Sequence, residues 1–243
     1  MNTDALRALW QQAFGDSDAF LDGFFGTGFS PHRCNTIEKD GHLAAMLYWF
    51  DCTWEEKKLA YIYAVATDKA FQNQGLCRAL MEDTHKKLQA LGYHGTVLVP
   101  GNRGLFDLYA KFGYRPFCDR ESVTETAAAM PIAVTPCTAE QYLRKRPDYL
   151  EKGSIFQDET TFRFLATYTK FYQGEDFLFC GGMEDGIYYF QEFLGNPHRI
   201  GGILNALNAE NGQALLPGKT PSAMYLSLDG TENLPLYFGI ALS

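Results

Sequence analysis

The chain has 243 residues, 46% of them hydrophobic, with 21 basic and 29 acidic side chains and a formal net charge of −8. That is apolar material enough for a folded core, and it excludes long disorder. With no long block of Lys and Arg, the acidic balance argues against a nucleic-acid partner, whose binding rests on phosphate neutralisation, and against a membrane-surface role. The balance favours solubility and, mildly, a cationic substrate such as an amine. The cysteines at 34, 52, 77, 118, 137 and 180 show no metal-ligand spacing. The opening MNTDALRALW lacks a signal-peptide pattern, and no run approaches the ~18 apolar residues of a membrane span. Reduced thiols, no metal and a cytoplasmic location are the expectations.

Leu6, Leu9, Trp10, Ala13 and Phe14 recur at helical spacing, which predicts a helix over 4–14, capped by Thr3 and ended by Gly15. Asp16 or Ser17 starts a second short helix, apolar at Phe20, Leu21, Phe24 and Phe25. Period two then takes over. Residues 35–38 and 42–50 read as strands around an Asp40-Gly41 turn, and 58–66 as a strand buried on both faces. Helices over 75–91 and 103–112, ended by Gly92 and Gly113, bracket a short strand at 96–99, and residues 115–117 open another. This order is that of a mixed α/β layer around a central sheet.

Prolines bracket residues 130–136 and set the expected boundary between a domain at 1–130 and a second, smaller α/β lobe at 131–243. In the second lobe, 138–146, 158–172 and 200–208 read as helices. Residues 177–180 and 187–193 read as a hairpin around Glu184-Asp185-Gly186, and 223–228 and 236–242 as strands. The succession strand, turn, strand, loop, helix echoes the first half as a degenerate internal repeat.

The informative stretch is YIYAVATDKAFQNQGLCRALM, residues 61–81. A buried strand ends near Ala66, a loop follows, and Gly75 opens a helix. The first turn of such a helix aims unpaired N–H groups and the positive end of the dipole outward, which suits a diphosphate. Gly75 has no side chain to keep that group off the backbone. No GxxxxGK[ST] is present and no GxGxxG follows a strand, which excludes nucleotide-triphosphate and dinucleotide loops.

The run Gln72-Asn73-Gln74-Gly75-Leu76-Cys77 resembles the (Gln/Arg)-x-x-Gly-x-(Gly/Ala) signature of GNAT acyltransferases, with Cys77 where Gly or Ala is usual. Further on, Asn102, Tyr109, Gly113 and Tyr114 resemble the family's Asn-x-x-(Ala)-x-x-x-Tyr-x-x-x-Gly-(Phe/Tyr) segment, with Leu105 in place of Ala. Residues 6–25 resemble the opening of bacterial acetyltransferases that carry a second, degenerate GNAT-like lobe, as in the enhanced-intracellular-survival type. The resemblance implies a GNAT-like acyl-CoA N-acyltransferase fold with a second α/β lobe and acetyl-CoA as cosubstrate. It implies direct transfer of the acetyl group to a primary amine. By the same resemblance, Gln72, Asn73, Gln74, Gly75, Leu76, Cys77 and Arg78 grip the diphosphate. Backbone groups of Tyr63, Ala64, Val65 and Thr67 hold the pantetheine arm, and Asn102 joins the cofactor site. Tyr109 takes the general-acid position, and the carboxylate of Ser243 is a candidate to enter the active site.

The general base is not readable from the sequence; Glu121, just past the motif strand, is a candidate. Tyr114 reads as core, Cys77 as a packed thiol, and His85 and His94 as solvated. Along Tyr48, Trp49 and Phe50, as along Tyr188, Tyr189 and Phe190, strand alternation leaves some side chains free to line an acceptor pocket. The alternative reading is a binding module that holds acyl-CoA as a sensor or scaffold without turnover. A homodimer through the second lobe is a further reading. Small amines, aminoglycoside-like polyamines, peptide N-termini and lysine side chains all remain open as acceptors.

Overall fold

The computed structural model describes residues 2–242. Helix α1 (Thr3–Phe14) starts at Asn2, whose side chain accepts from the N–H groups of Asp4 and Ala5. The cap is therefore Asn2, and Thr3 is already helical. Gly15 ends α1 at φ 77, donating to the Gln11 carbonyl. Ser17 caps α2 (Asp18–Gly23), which runs into a π-helical turn at Phe24–Gly28. Strands β1 (Cys34–Lys39) and β2 (His42–Trp54) pair around Asp40 and Gly41, both at positive φ, the backbone of a tight hairpin. β3 (Lys57–Thr67) returns along β2.

Alternation along β2 feeds two cores at once. Tyr48, Phe50, Cys52 and Trp54 pack toward α1, α2 and the second lobe, while Ala45, Leu47 and Trp49 pack toward the opposite layer. Tyr48, Trp49 and Phe50 are thus all buried, and none is free to line an acceptor pocket.

Helix α3 (Leu76–Ala90) crosses from β3 to β4 (Gly95–Leu98), which lies parallel to β3. α4 (Arg103–Ala110) leads to the long β5 (Arg115–Thr126). After β6 (Thr135–Cys137) come α5 (Ala139–Lys145), β7 (Phe156–Gln157) and α6 (Glu159–Leu165). Then follow β8 (Lys170–Gln173), β9 (Phe177–Glu184) and β10 (Ile187–Gly195), then α7 (Ile200–Ala206), β11 (Asn211–Pro217) and β12 (Thr220–Ser227).

Two expectations fail here, and one strand was not expected. The helix read over 158–172 stops at Leu165, where Thr167 turns its hydroxyl onto the Phe164 carbonyl, and Lys170–Gln173, with the aromatics Phe171 and Tyr172, join the sheet. Residues 211–217 form an unforeseen strand. Residues 236–242 are not a ladder strand; a single bridge, Tyr237 to Ser154, ties them to neighbouring backbone in strand fashion.

The sheet has 12 strands, ordered β1-β2-β3-β4-β12-β5-β11-β10-β9-β8-β6, with β7 on β2. The order reads almost the same from either end. The unit β2-β3-α3-β4 recurs as β9-β10-α7-β11, each with an antiparallel hairpin and a helical crossover to a parallel strand. Even sequence repeats: Gly95-Thr-Val-Leu-Val-Pro-Gly101 against Gly212-Gln-Ala-Leu-Leu-Pro-Gly218. The last strand of each half is exchanged, since β5 pairs with β11 and β12 pairs with β4. Among the described residues, no helix is long and apolar enough to cross a membrane.

Within the second half sits a fully buried ion pair. Arg146 donates to both Glu192 oxygens at 2.8 Å, and Tyr142 adds a 2.9 Å bond to the same carboxylate. Removing one partner leaves a buried charge alone. Glu192→Ala is therefore expected to lower unfolding free energy by about 3–5 kcal/mol in urea denaturation, where an exposed carboxylate such as Glu184 changes it by less than about 0.5 kcal/mol.

Candidate active site

Parallel pairing of β3 with β4 runs Leu59–Gly95, Ala60–Thr96, Tyr61–Val97 and stops. Just beyond, the β2–β3 register slips, and Ala64 takes φ 49. An extra residue of this kind bends a strand away from its neighbour. The result is a wedge of about 510 Å³. Tyr63, Ala64 and Val65 form one wall, Leu98 and Val99 the other, and Asn102, Leu105 and Tyr109 close it from α4. At the opposite end stand Trp10, Phe14, Asp16 and Phe20, from α1 and the start of α2, with Ala241 and Leu242 beside them.

The loop from β3 to α3 is set by its own side chains. Gln72 Nε2 donates to the Thr67 carbonyl at 3.3 Å, and Gln74 Nε2 to that of Ala70 at 3.4 Å. Asn73 (φ 60) and Gly75 (φ 77) supply the left-handed turns. No side chain caps α3, and a Cβ added at Gly75 would meet nothing within 4 Å. The helix start is therefore uncapped and uncrowded at Gly75, with the positive end of the dipole there. Leu76 and Cys77 turn inward to the core shared with Trp49 and Tyr109, while Arg78 stays exposed, its guanidinium 4.7 Å over the Phe112 ring. Burial pushes the Cys77 thiol up, against the opposing charge of Arg78, so it is a protonated, packed thiol.

Tyr109 is 7% exposed, with its ring edge-on to Phe112 and Tyr114. Burial, with a smaller push from Cys77, raises its phenol well above the usual value, so Oη keeps its proton through the physiological range. Asp16 is the acidic group of the cleft; it accepts from Trp10 Nε1 at 2.6 Å. The hydroxyls of Tyr63 and Tyr168 are raised mainly by burial, with Asp16 among the negative groups that add to it.

Of the residues singled out from sequence, Tyr63, Ala64, Val65, Asn102 and Tyr109 meet in the wedge. Residues 72–78 form the loop and helix start after its β3 wall. Thr67 lies at the strand's end, paired with Ala45. Asn102 also caps α4, accepting from Leu105 N–H at 3.1 Å. Ser243 lies outside the described residues. Glu121 sits exposed on β5 opposite Leu216, outside the wedge. Neither histidine is freely solvated. His85 is half-buried with Nε2 2.9 Å from Tyr114 Oη, and His94 is clamped between Lys58 and Leu228 by backbone bonds. Asp16, Trp10 and Phe20 were legible only as a cap and a helical face, because the sequence does not show which way that face packs.

The chain matches the Acetyltransferase (GNAT) family over residues 3–114. No curated protein sequence matches it. Its fold is similar to that of a GCN5-related N-acetyltransferase from Kribbella flavida (TM-score 0.69, 16% identity, 93% of this chain and 70% of that one). Eis1 from Mycobacterium abscessus gives TM-score 0.65 at 11% identity over 93% and 71%. N-myristoyltransferase of Saccharomyces cerevisiae gives 0.55 at 9% over 93% and 76%. The family match runs from α1 to the residue before β5 and covers a little under half of the chain.

The His85–Tyr114 contact also predicts a pH dependence. Burial lowers His85 from about 6.5 to about 4, with Glu82 opposing. Between those values the unfolded chain binds more protons, so this contribution to stability is present above pH 6.5 and is lost as pH falls toward 4. Urea midpoints at pH 7 and pH 4.5 are expected to differ less in His85→Gln than in the parent.

Proposed function

We propose that the protein transfers an acyl group, acetyl foremost, from acyl-CoA to a primary amine by direct attack in the β3–β4 wedge. The observation that carries this reading is the junction itself: a strand freed from its neighbour at Tyr61 leads to an uncapped helix start at Gly75. The residues present fit an acyl-CoA. Open space over Gly75 and inward-turned Leu76 and Cys77 leave the first-turn amides available to a diphosphate. The fit with yeast N-myristoyltransferase, solved with bound myristoyl-CoA, is in keeping with this.

Acyl-CoA supplies the activated thioester. Backbone groups of Tyr63 to Val65, released from β4, are free to bond the pantetheine arm and polarise the carbonyl. Tyr109 holds a proton at Oη for the departing thiolate. Asp16 attracts the ammonium and takes its proton. Trp10, Phe14 and Phe20 favour an amine borne on an apolar body. The wedge is built mainly on the domain at 1–130, with Ala241 and Leu242 of the second lobe lining it and β12 completing the sheet. A cytoplasmic setting fits free thiols and an acyl-CoA donor.

Thiol release from acetyl-CoA across an amine panel tests this. Tyr109→Phe is expected to lower kcat about 10²–10⁴-fold with CoA affinity retained, and Asp16→Asn to raise the amine KM. CoA uptake without turnover on any amine would make the protein a sensor or scaffold. A calorimetric titration with no CoA uptake would sink both readings.

A further inference from the structure

The internal repeat has a consequence for the second lobe. Parallel pairing of β10 with β11 stops at Phe190–Ala214. Under the repeat that aligns Gly95 with Gly212, this is the register at which β3 and β4 part. The β9–β10 register also slips there, between Phe190 and Glu192. A second wedge opens between the strand ends, about 590 Å³, with Phe193 and Leu194 on one wall and Leu216 and Pro217 on the other. The strands β4, β12, β5 and β11 separate the two openings, about 20 Å at ~4.8 Å per strand.

The second wedge lacks the grip of the first. β10 passes through Gly195-Asn-Pro-His-Arg straight into the short α7, whose Gly201 and Gly202 are packed against linker residues 126–132. No diphosphate finds amides there. Its charged lining residues are Asp119 and Glu151, both exposed; Lys152 and Lys219, next along the chain, are not among the lining residues. Deeper in, Ser154 lines it, 1% exposed, with an Oγ that has no hydrogen-bond partner. Leu236, which is exposed, and Tyr237, whose hydroxyl donates to buried Glu192, complete the lining.

We propose that this wedge is a second ligand site, for an amphipathic monocation: an apolar body between β10 and β11 and an ammonium at Asp119 and Glu151. An apolar cavity of this size with few polar groups is the usual form of a small-molecule site, and its charge is opposite to what an acyl-CoA needs. The site does not depend on the acyl-transfer reading, because its walls are separate from those of the first wedge.

Tryptamine and indole-3-acetate, alike in body and opposite in charge, test it by titration into the methyl-labelled full chain. Tryptamine is expected to shift the methyls of Leu150, Leu194, Leu216 and Leu236, and indole-3-acetate is not. Asp119→Lys with Glu151→Lys, both at exposed positions, is expected to weaken this tryptamine response about tenfold or more with thermal stability unchanged. The proposal is overturned if shifts are confined to Leu98, Leu105 and Leu242 of the first wedge, or are absent. It is equally overturned if the anion acts as well as the cation, or if the double reversal leaves the response intact.

Discussion

Everything in the first lobe follows from where two parallel strands stop bonding. From Leu59 to Tyr61 β3 is locked to β4, and from Tyr63 onward its backbone groups have no strand on that side. Buried backbone N–H and C=O groups need partners. The bulge at Ala64 leaves an edge of backbone groups with no strand beside it. The edge is held stiffly, because β2 and β3 are covered on both faces by separate cores. The catalytic candidates ride on the rims of this rigid wedge: Tyr109 from α4 and Asp16 from the turn after α1.

The segment after Leu234 closes the site without being a strand. Its backbone is held by side chains from several elements. Cys118 meets Phe238, Arg120 donates to the Gly239 carbonyl, Gln157 to that of Ile240 and Gln191 to that of Ala241, and Leu242 N–H donates to Tyr61 Oη. Gly239 lies so close over Glu192 that an added Cβ would collide with its carboxylate. Both lobes thus set where Ala241 and Leu242 stand in the cleft.

Local signals were legible and long-range ones were not. Gly15, Asp40-Gly41, Gly75, Gly92 and Gly113 marked their turns because each needs positive φ that sequence announces. The loop at residues 72–75 was legible for the same reason. β11 was missed because Gln-Ala-Leu-Leu is equally at home in a helix; only its likeness to residues 95–101, available in the sequence, separates the two. Residues 236–242 look like a strand by composition, but what fixes them is polar side chains far away in sequence. Asp16 was invisible as a cleft residue because its position depends on α1 packing its Leu6, Leu9 and Trp10 against the sheet.

The exchange of β5 and β12 bears on how the molecule comes to be made. Residues 95–98 reach their neighbour only when residues 224–227 arrive. As synthesis proceeds from the N-terminus, the family-matched segment emerges with β4 uncovered on one edge, exposed to stray pairing until nearly the whole chain has left the ribosome. Closing so wide a loop comes late and slowly. The halves must therefore mature together, and a nascent chain halted after β5 is a natural client for chaperones.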